Sequence, residues 1–276
     1  VTATSVRNPT LNPDQTRAVL SHLQVNAIGP TVAFLDDLVC AYIRKVPWES
    51  AFRIAKRART KKITECPRWP EEFWRDNLER GGGGTCFESN YAFFTLLNTL
   101  GYQGYLTIND MDKTRRCHSA IVLNIDGKRW LVDVGIPLHA PIPVVSAKQS
   151  RRASKFHNYT LTRVGRYLYQ IERDRHPSPY IYTLIDEPIE ERAYRQATTA
   201  DYGENGFFLK RMIINKIIDE RVWRFNSEEK PYHLESFGDG GRTDQPIEGD
   251  VAAAVAVHFE MDVGVVRKAL DVTETR

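Results

Sequence analysis

Cys86, His118 and Asp133 are the side chains in this sequence whose types and spacing could build an activated thiol. Cys86 lies in Arg80-Gly81-Gly82-Gly83-Gly84-Thr85-Cys86-Phe87-Glu88-Ser89-Asn90, the most unusual segment of the chain. Thr85 with Glu88 three residues on fits a capping box. Phe87, Tyr91, Phe94, Leu97 and Leu100 then recur at helical spacing, so a helix with a buried stripe follows. Cys86 is thereby expected at the first helical position, where free N–H groups and the positive end of the helix dipole favour a thiolate. Four glycines before it would let the backbone take positive φ and approach a ligand. A second reading stays open on these residues alone: a flexible linker before a core helix, with Cys86 a small buried hydrophobe. A phosphate loop is excluded, since no Gly-Lys-Ser/Thr follows and the GxGxxG spacing fails.

A nucleophilic cysteine needs a base to hold its proton and a third group to orient that base. His118 opens the apolar run Ser119–Ile125, and Asp126-Gly127 is a strong hairpin signal before Lys128. With a two-residue turn there, Ile125 faces Lys128 and Ala120 faces Asp133, so His118 becomes the diagonal neighbour of Asp133 on one face. Asp133 interrupts Trp130–Val134, and a lone carboxylate in such a strand is costly without a partner. A purely structural pair, or a solvated face, also fits this spacing. His22, His139, His157, His176, His233 and His258 have no comparable partner in sequence and read as surface or satisfied core residues. Cys40 and Cys66 read as inert. Cys117 cannot share a metal with His118, because adjacent strand side chains point to opposite faces.

These side chains need elements to hold them. The first hundred residues read as helical: Asn12-Pro13-Asp14 opens one helix to about Leu23, Thr31 starts a second that stops at Val46-Pro47, and after a loop Pro70 starts a third. Strands are expected near 103–109, 118–125, 128–134, 158–163, 167–172, 181–185, 212–218 and 221–226, with helices from 249 to 259 and from about 263. Helices first, then an antiparallel sheet or barrel, then a mixed module is an α+β outline. The 276 residues carry 38 Lys+Arg against 35 Asp+Glu, too small an excess to demand a nucleic acid though suited to an anionic small molecule. Six basic residues between Arg53 and Lys62 lack interleaved aromatics, so a solvated helix face or loop is expected there, with cofactor phosphates as a further option. Four cysteines without a CxxC pair imply neither a disulfide scaffold nor a zinc site. The polar N-terminus and the lack of a long apolar run suggest a cytoplasmic protein with no membrane span.

With these residues in place the chain resembles the arylamine N-acetyltransferases. That family carries R-G-G-x-C opening a helix, a histidine starting a strand, and an aspartate fifteen residues later in V-D-V-G; Cys86, His118 and Val132-Asp133-Val134-Gly135 match. Val46-Pro47-Trp48-Glu49-Ser50 is similar to its I-P-F-E-N segment, and Gly206-Phe207-Phe208 and Arg221-Val222-Trp223 fall in the expected order. The resemblance implies a helical bundle over 1–102 carrying Cys86, a central antiparallel β-barrel over 103–198 carrying His118 and Asp133, and an α/β lid over 199–276, around a cysteine-protease-like Cys-His-Asp core. It implies ping-pong transfer of acetyl from acetyl-CoA, through a Cys86 thioester, to an arylamine or hydrazine. Trp48, Phe207 and Phe208 are the implied acceptor-pocket residues; no residue is assigned to the cofactor, and no metal, nucleic acid or membrane is expected. An amide synthase of the same fold, a Cys-His-Asp thiol hydrolase and an inactive binding homologue are the alternatives. The chain departs from the pattern at Gly82, where the family has arginine, at Trp48 and Ser50, and at Gly135-Ile136-Pro137 in place of G-F-G.

Overall fold

The computed structural model describes residues 9–204, 206–238 and 241–275. The helical region comprises α1 (Pro13–Leu23), α2 (Val32–Lys45), the two-residue β1 (Trp48–Glu49), α3 (Ala51–Arg59), α4 (Pro70–Arg80) and α5 (Cys86–Thr99). Side-chain caps start the first two helices: Asn12 Oδ1 accepts from the N–H of Gln15, and Thr31 Oγ1 from that of Phe34. Helix α4 begins on Pro70 and ends on Gly81, which takes the left-handed conformation at φ 67°. Leu35, Leu38, Val39, Phe93, Leu96 and Leu97 are wholly buried in the core these helices share, each such side chain contributing about 1.5–3 kcal/mol.

Strands β2 (Gln103–Met111), β3 (Thr114–Ile125), β4 (Lys128–Val132), β5 (Ile142–Val144), β6 (Gln149–Ala153), β7 (Asn158–Arg163), β8 (Leu168–Arg173) and β9 (Tyr180–Ile185) form one antiparallel sheet in the order β5-β4-β3-β2-β9-β8-β7-β6. Its edges curl together, and Ser150 Oγ donates to the Pro143 carbonyl across them at 2.5 Å, giving a nearly closed barrel. The expected hairpin register holds, with Ile125 opposite Lys128 and Ile121 opposite Val132. Alternation along β3 sends Ile121, Leu123 and Ile125 to the helical core, and Ala120 and Val122 to the barrel core with Tyr182.

After α6 (Glu191–Ala200), a second antiparallel sheet runs β1-β10-β11-β12-β13 through β10 (Ile213–Ile218), β11 (Arg221–Asn226), β12 (His233–Gly238) and β13 (Gly241–Pro246). Helices α7 (Val251–Phe259) and α8 (Val263–Glu274) cover it together with α3. The architecture is α+β as expected, with one helix where a loop was read. Helix α3 lies between Val46-Pro47 and Pro70, and its pattern was obscured because two of its inward positions are cations. Arg53 and Lys56 are buried, so the basic run is a solvated face only in its later part.

Among the described residues no helix is long and apolar enough to cross a membrane. Three of the histidines read as surface or satisfied core, His22, His139 and His258, each bury one ring nitrogen without a hydrogen-bond partner. Burial and the neighbouring His157 push His139 down to about 3, so it is neutral.

Candidate active site

Helix α5 does begin at Cys86, but the capping box does not form. Thr85 makes no side-chain bond to the helix N-terminus; its Oγ1 accepts from Arg53 Nη1 at 2.6 Å. Glu88 turns instead to Arg68, accepting from its backbone N–H at 2.8 Å and its Nη2 at 2.7 Å, and takes a further bond from Tyr202 Oη. Burial alone would raise the Glu88 carboxyl, yet Arg68 and Arg53 hold it below the usual range. Two buried cations satisfied the same groups more strongly than a local cap would.

The glycines also serve a different purpose from the one expected. Only Gly81 of the four has positive φ. Gly83 is required by packing, because a Cβ there would sit 1.7 Å from the Pro47 carbonyl oxygen. Gly84 pairs with Trp48 in a short parallel bridge, and Arg68 Nη2 donates to the Gly83 carbonyl at 2.6 Å. The guanidinium bracing this run is therefore Arg68, wholly buried against Glu49, Asp76 and Glu88. Arg80 lies outside, paired with Asp262 and Asp76.

His118 is fully buried on the barrel-core face of β3, with its ring 4.5 Å from that of Tyr182. Its Nε2 meets Asp133 Oδ2 at 2.6 Å, which leaves Nδ1 as the ring nitrogen open to Cys86, whose Sγ lies 3.9 Å from the Cys117 carbonyl oxygen. Burial would lower His118, but the Asp133 carboxylate and then the Cys86 sulfur raise it to about 10, so the imidazolium is the resting form at neutral pH.

Asp133 stands one residue beyond β4, so the strand expected to reach 134 stops at Val132. Its second oxygen explains why: Oδ1 accepts from the N–H groups of Gly135 and Ile136, at 2.8 and 3.1 Å, and curls the chain into a turn. Gly135 lets that turn lie on the helix start, since a Cβ there would be 2.4 Å from Cys86 Cα.

Asn90, one helical turn past Cys86, is the residue that sequence reasoning passed over. Its Nδ2 donates to Asp133 Oδ1 at 2.9 Å and to the Ser119 carbonyl at 2.7 Å, and its Oδ1 accepts from Val134 N–H at 3.0 Å. Ser119 Oγ donates to the Cys86 carbonyl at 2.9 Å. The available signal was the i, i+4 spacing, which puts Cys86 and Asn90 on one helix face.

Trp48 and Phe208 meet edge to face, with centroids 4.9 Å apart, beside the Gly84 backbone. Phe207 is 47% exposed and touches Phe208 at 6.3 Å. Lys113, Arg115 and Arg116 are exposed at the tip of the β2–β3 hairpin just before His118 in sequence, with Arg115 Nη1 paired to Asp110 Oδ2 at 2.5 Å. Glu229, His233 and Glu235 form a cluster of metal-ligand types in the second sheet, where Arg242 and Arg224 already neutralise the carboxylates.

A sequence profile of the N-acetyltransferase family matches residues 31–264. The chain belongs to the arylamine N-acetyltransferase family. It is 25% identical over 185 residues to arylamine N-acetyltransferase 2 of Homo sapiens, covering 57% of this chain and 61% of that one. To proansamycin X synthase of Amycolatopsis mediterranei (strain S699) it is 25% identical over 138 residues, covering 46% and 51%. The match thus spans about half to three fifths of these relatives' length. Among solved structures, the arylamine N-acetyltransferase of Mycobacterium abscessus superposes with a TM-score of 0.78 at 18% identity over 96% of both chains. That of Mycobacterium marinum in complex with CoA gives 0.76 at 18%, covering 93% of this chain and 98% of that one. A Bacillus cereus family member described with a Cys-His-Glu triad gives 0.73 at 18%, covering 91% and 98%. At this identity the likeness establishes the fold, and the arrangement around Cys86 is read from this chain's own residues.

Proposed function

We propose that this protein is an N-acetyltransferase that carries acetyl from acetyl-CoA, as a thioester on Cys86, to an arylamine or hydrazine. The observation that carries the reading is the buried His118–Asp133 pair beside a cysteine at a helix N-terminus, with the imidazole held in its charged form. Such an imidazolium stabilises a thiolate, the attacking species.

The thiolate of Cys86 adds to the thioester carbonyl of acetyl-CoA. The carbon–sulfur bond to coenzyme A breaks, and the departing thiolate takes the proton held by His118. The free amine then attacks the acetyl-cysteine while His118 Nδ1 accepts its proton, and Cys86 is released. Backbone N–H groups at the start of α5 would stabilise the oxyanion of either step. Exchange between two thioesters is nearly isoenergetic and amide formation is downhill, which suits a sulfur nucleophile. Lys113, Arg115 and Arg116 would meet the cofactor's phosphates. The edge-to-face Trp48–Phe208 pair, with Phe207, would wall the aromatic acceptor.

The four free thiols accord with a reducing cytoplasm, and domain limits at 102 and 198 remain part of this reading, with β1 and α3 of the first region joining the second sheet. The match to proansamycin X synthase favours one second reading, an amide synthase that closes an acyl chain onto its own amine.

Intact mass measurement after mixing with acetyl-CoA tests both readings. One acetyl equivalent on Cys86, discharged by an added arylamine, is the expected result. Acylation only by a long amine-bearing thioester would favour the synthase. The absence of any adduct, together with peptide cleavage, would replace transfer by hydrolysis.

A further inference from the structure

The segment immediately after Trp48 holds the Phe207–Phe208 turn at both of its ends. Ser50 Oγ donates to the Arg211 carbonyl at 3.1 Å and accepts from Ile213 N–H at 3.0 Å, fixing the end that leads into β10. At the other end Arg53 reaches the residue that closes α6. Its Nη1 meets Asp201 Oδ2 at 2.8 Å, and its Nη2 donates to the Asp201 carbonyl at 2.7 Å. Asp201 Oδ1 then accepts from Phe207 N–H at 3.2 Å.

The same Arg53 Nη1 donates to Thr85, the residue before Cys86, and its guanidinium lies 4.5 Å from the Tyr202 ring centre. Between the two anchors Phe208 adopts a left-handed φ of 58°, unusual for a bulky residue, with its ring against Trp48 and the Arg211 guanidinium 5.5 Å from the ring centre. A buried arginine that binds both the side chain and the main chain of Asp201 is costly to desolvate, and its fixed fork specifies one geometry. Three successive turns of chemistry, the nucleophile's N-cap, the Trp48 wall and the Phe208 wall, are therefore tied to one short stretch, residues 48–53.

We propose that Ser50 and the Arg53–Asp201 pair are positioning residues that preset the 206–211 turn as a wall of the acceptor site, and so decide which amines discharge the acyl-enzyme. The proposal rests on the acyl-transfer reading above. It assigns these residues to the second half-reaction, because their contacts run from the N-cap to the turn and not to His118 or Asp133. A loosened turn would leave a small acceptor such as hydrazine largely indifferent, whereas a bicyclic arylamine needs the wall in place.

The test compares Ser50→Ala, Asp201→Asn and Arg53→Lys with the unaltered protein. Acylation by acetyl-CoA alone is timed by intact mass, and the acetyl-enzyme is then discharged by hydrazine or by a bicyclic arylamine. The expected result for Ser50→Ala and Asp201→Asn is an arylamine-to-hydrazine rate ratio changed by about fivefold or more, with acylation within about twofold; Arg53→Lys, which also loosens Thr85 before Cys86, should change the ratio and slow acylation too. An unchanged ratio, or an equal loss of acylation and of both discharges, overturns the proposal in favour of a merely structural role. A wild-type protein that takes no acetyl group would instead overturn the transferase reading. The anchor itself has a readout independent of activity, since Ser50 holds the Arg211 carbonyl that trypsin must attack. Ser50→Ala, the mildest of the three changes, should speed tryptic cleavage after Arg211 severalfold in the folded protein, and an unchanged rate removes the anchor.

Discussion

Replacing Asp133 by asparagine changes one atom, and the structure dictates which way the new amide must face. Asp133 Oδ1 accepts from three donors, Asn90 Nδ2, Gly135 N–H and Ile136 N–H, whereas Oδ2 meets His118 Nε2, with the Tyr182 hydroxyl also beside the carboxylate. An amide NH2 placed at the Oδ1 position would confront three donors in a dry site, each mismatch costing about 1–3 kcal/mol. The amide oxygen therefore stays there, and the NH2 points at His118. His118 Nε2 must then accept, so the ring's proton moves to Nδ1, facing the thiol, and the imidazole can no longer take a proton from Cys86. The carboxylate's charge is lost as well. Burial, which by itself lowers His118, is then left largely unopposed.

The wrong tautomer in an analogous triad costs about 10⁴ in kcat, and a comparable loss of acylation rate is expected here. Iodoacetamide alkylation of Cys86 between pH 5 and 9, read by mass on protein that is still folded, should fall along with it; the melting temperature falls as well, because the buried imidazolium loses its carboxylate although the turn keeps its three bonds. Alkylation and acylation within about tenfold of the unaltered protein would refute the tautomer argument.

Other outcomes follow from the same geometry. Asn90→Ala removes the bonds to Asp133, Ser119 and Val134, and should cost about 2–4 kcal/mol in urea unfolding together with slower acylation. Arg68→Met strands the buried carboxylates of Glu49 and Glu88 and should destabilise by about 3–5 kcal/mol; an unaltered urea midpoint would remove Arg68 as the brace of the glycine run. His118 binds its proton more tightly folded than unfolded, so its stabilisation is complete below pH 6.5 and is lost as pH rises through about 10. Unfolding at pH 6.5 and pH 10 should show a steeper loss for the unaltered protein than for His118→Gln.

Much of the order of elements was legible because it depends on local periodicity and turn chemistry, although α6, β5, β6, β12 and β13 went unread. The α5 stripe from Phe87 to Leu100, the Asp126-Gly127 turn and the alternation along β3 each act over a few residues, and they placed Cys86 at a helix start and His118 within reach of Asp133. Helix α3 was not legible, because Arg53 and Lys56 occupy inward positions where a periodicity argument looks for apolar residues. Their burial depends on Asp201 and Glu72, far away in sequence.

What the residues determined by themselves was the set of reacting groups and the secondary structure that carries them. Only the tertiary structure decided how the polar groups pair. Thr85 and Glu88 could have capped α5 locally, and no rule of spacing forbids it. Two distant guanidiniums took those oxygens instead, since a charge-assisted bond in a dry interior outweighs a neutral local one. The glycines were legible as exceptional, but their purpose, room for the Pro47 carbonyl at Gly83 and for the Phe52 ring at Gly82, exists only once the segments are packed.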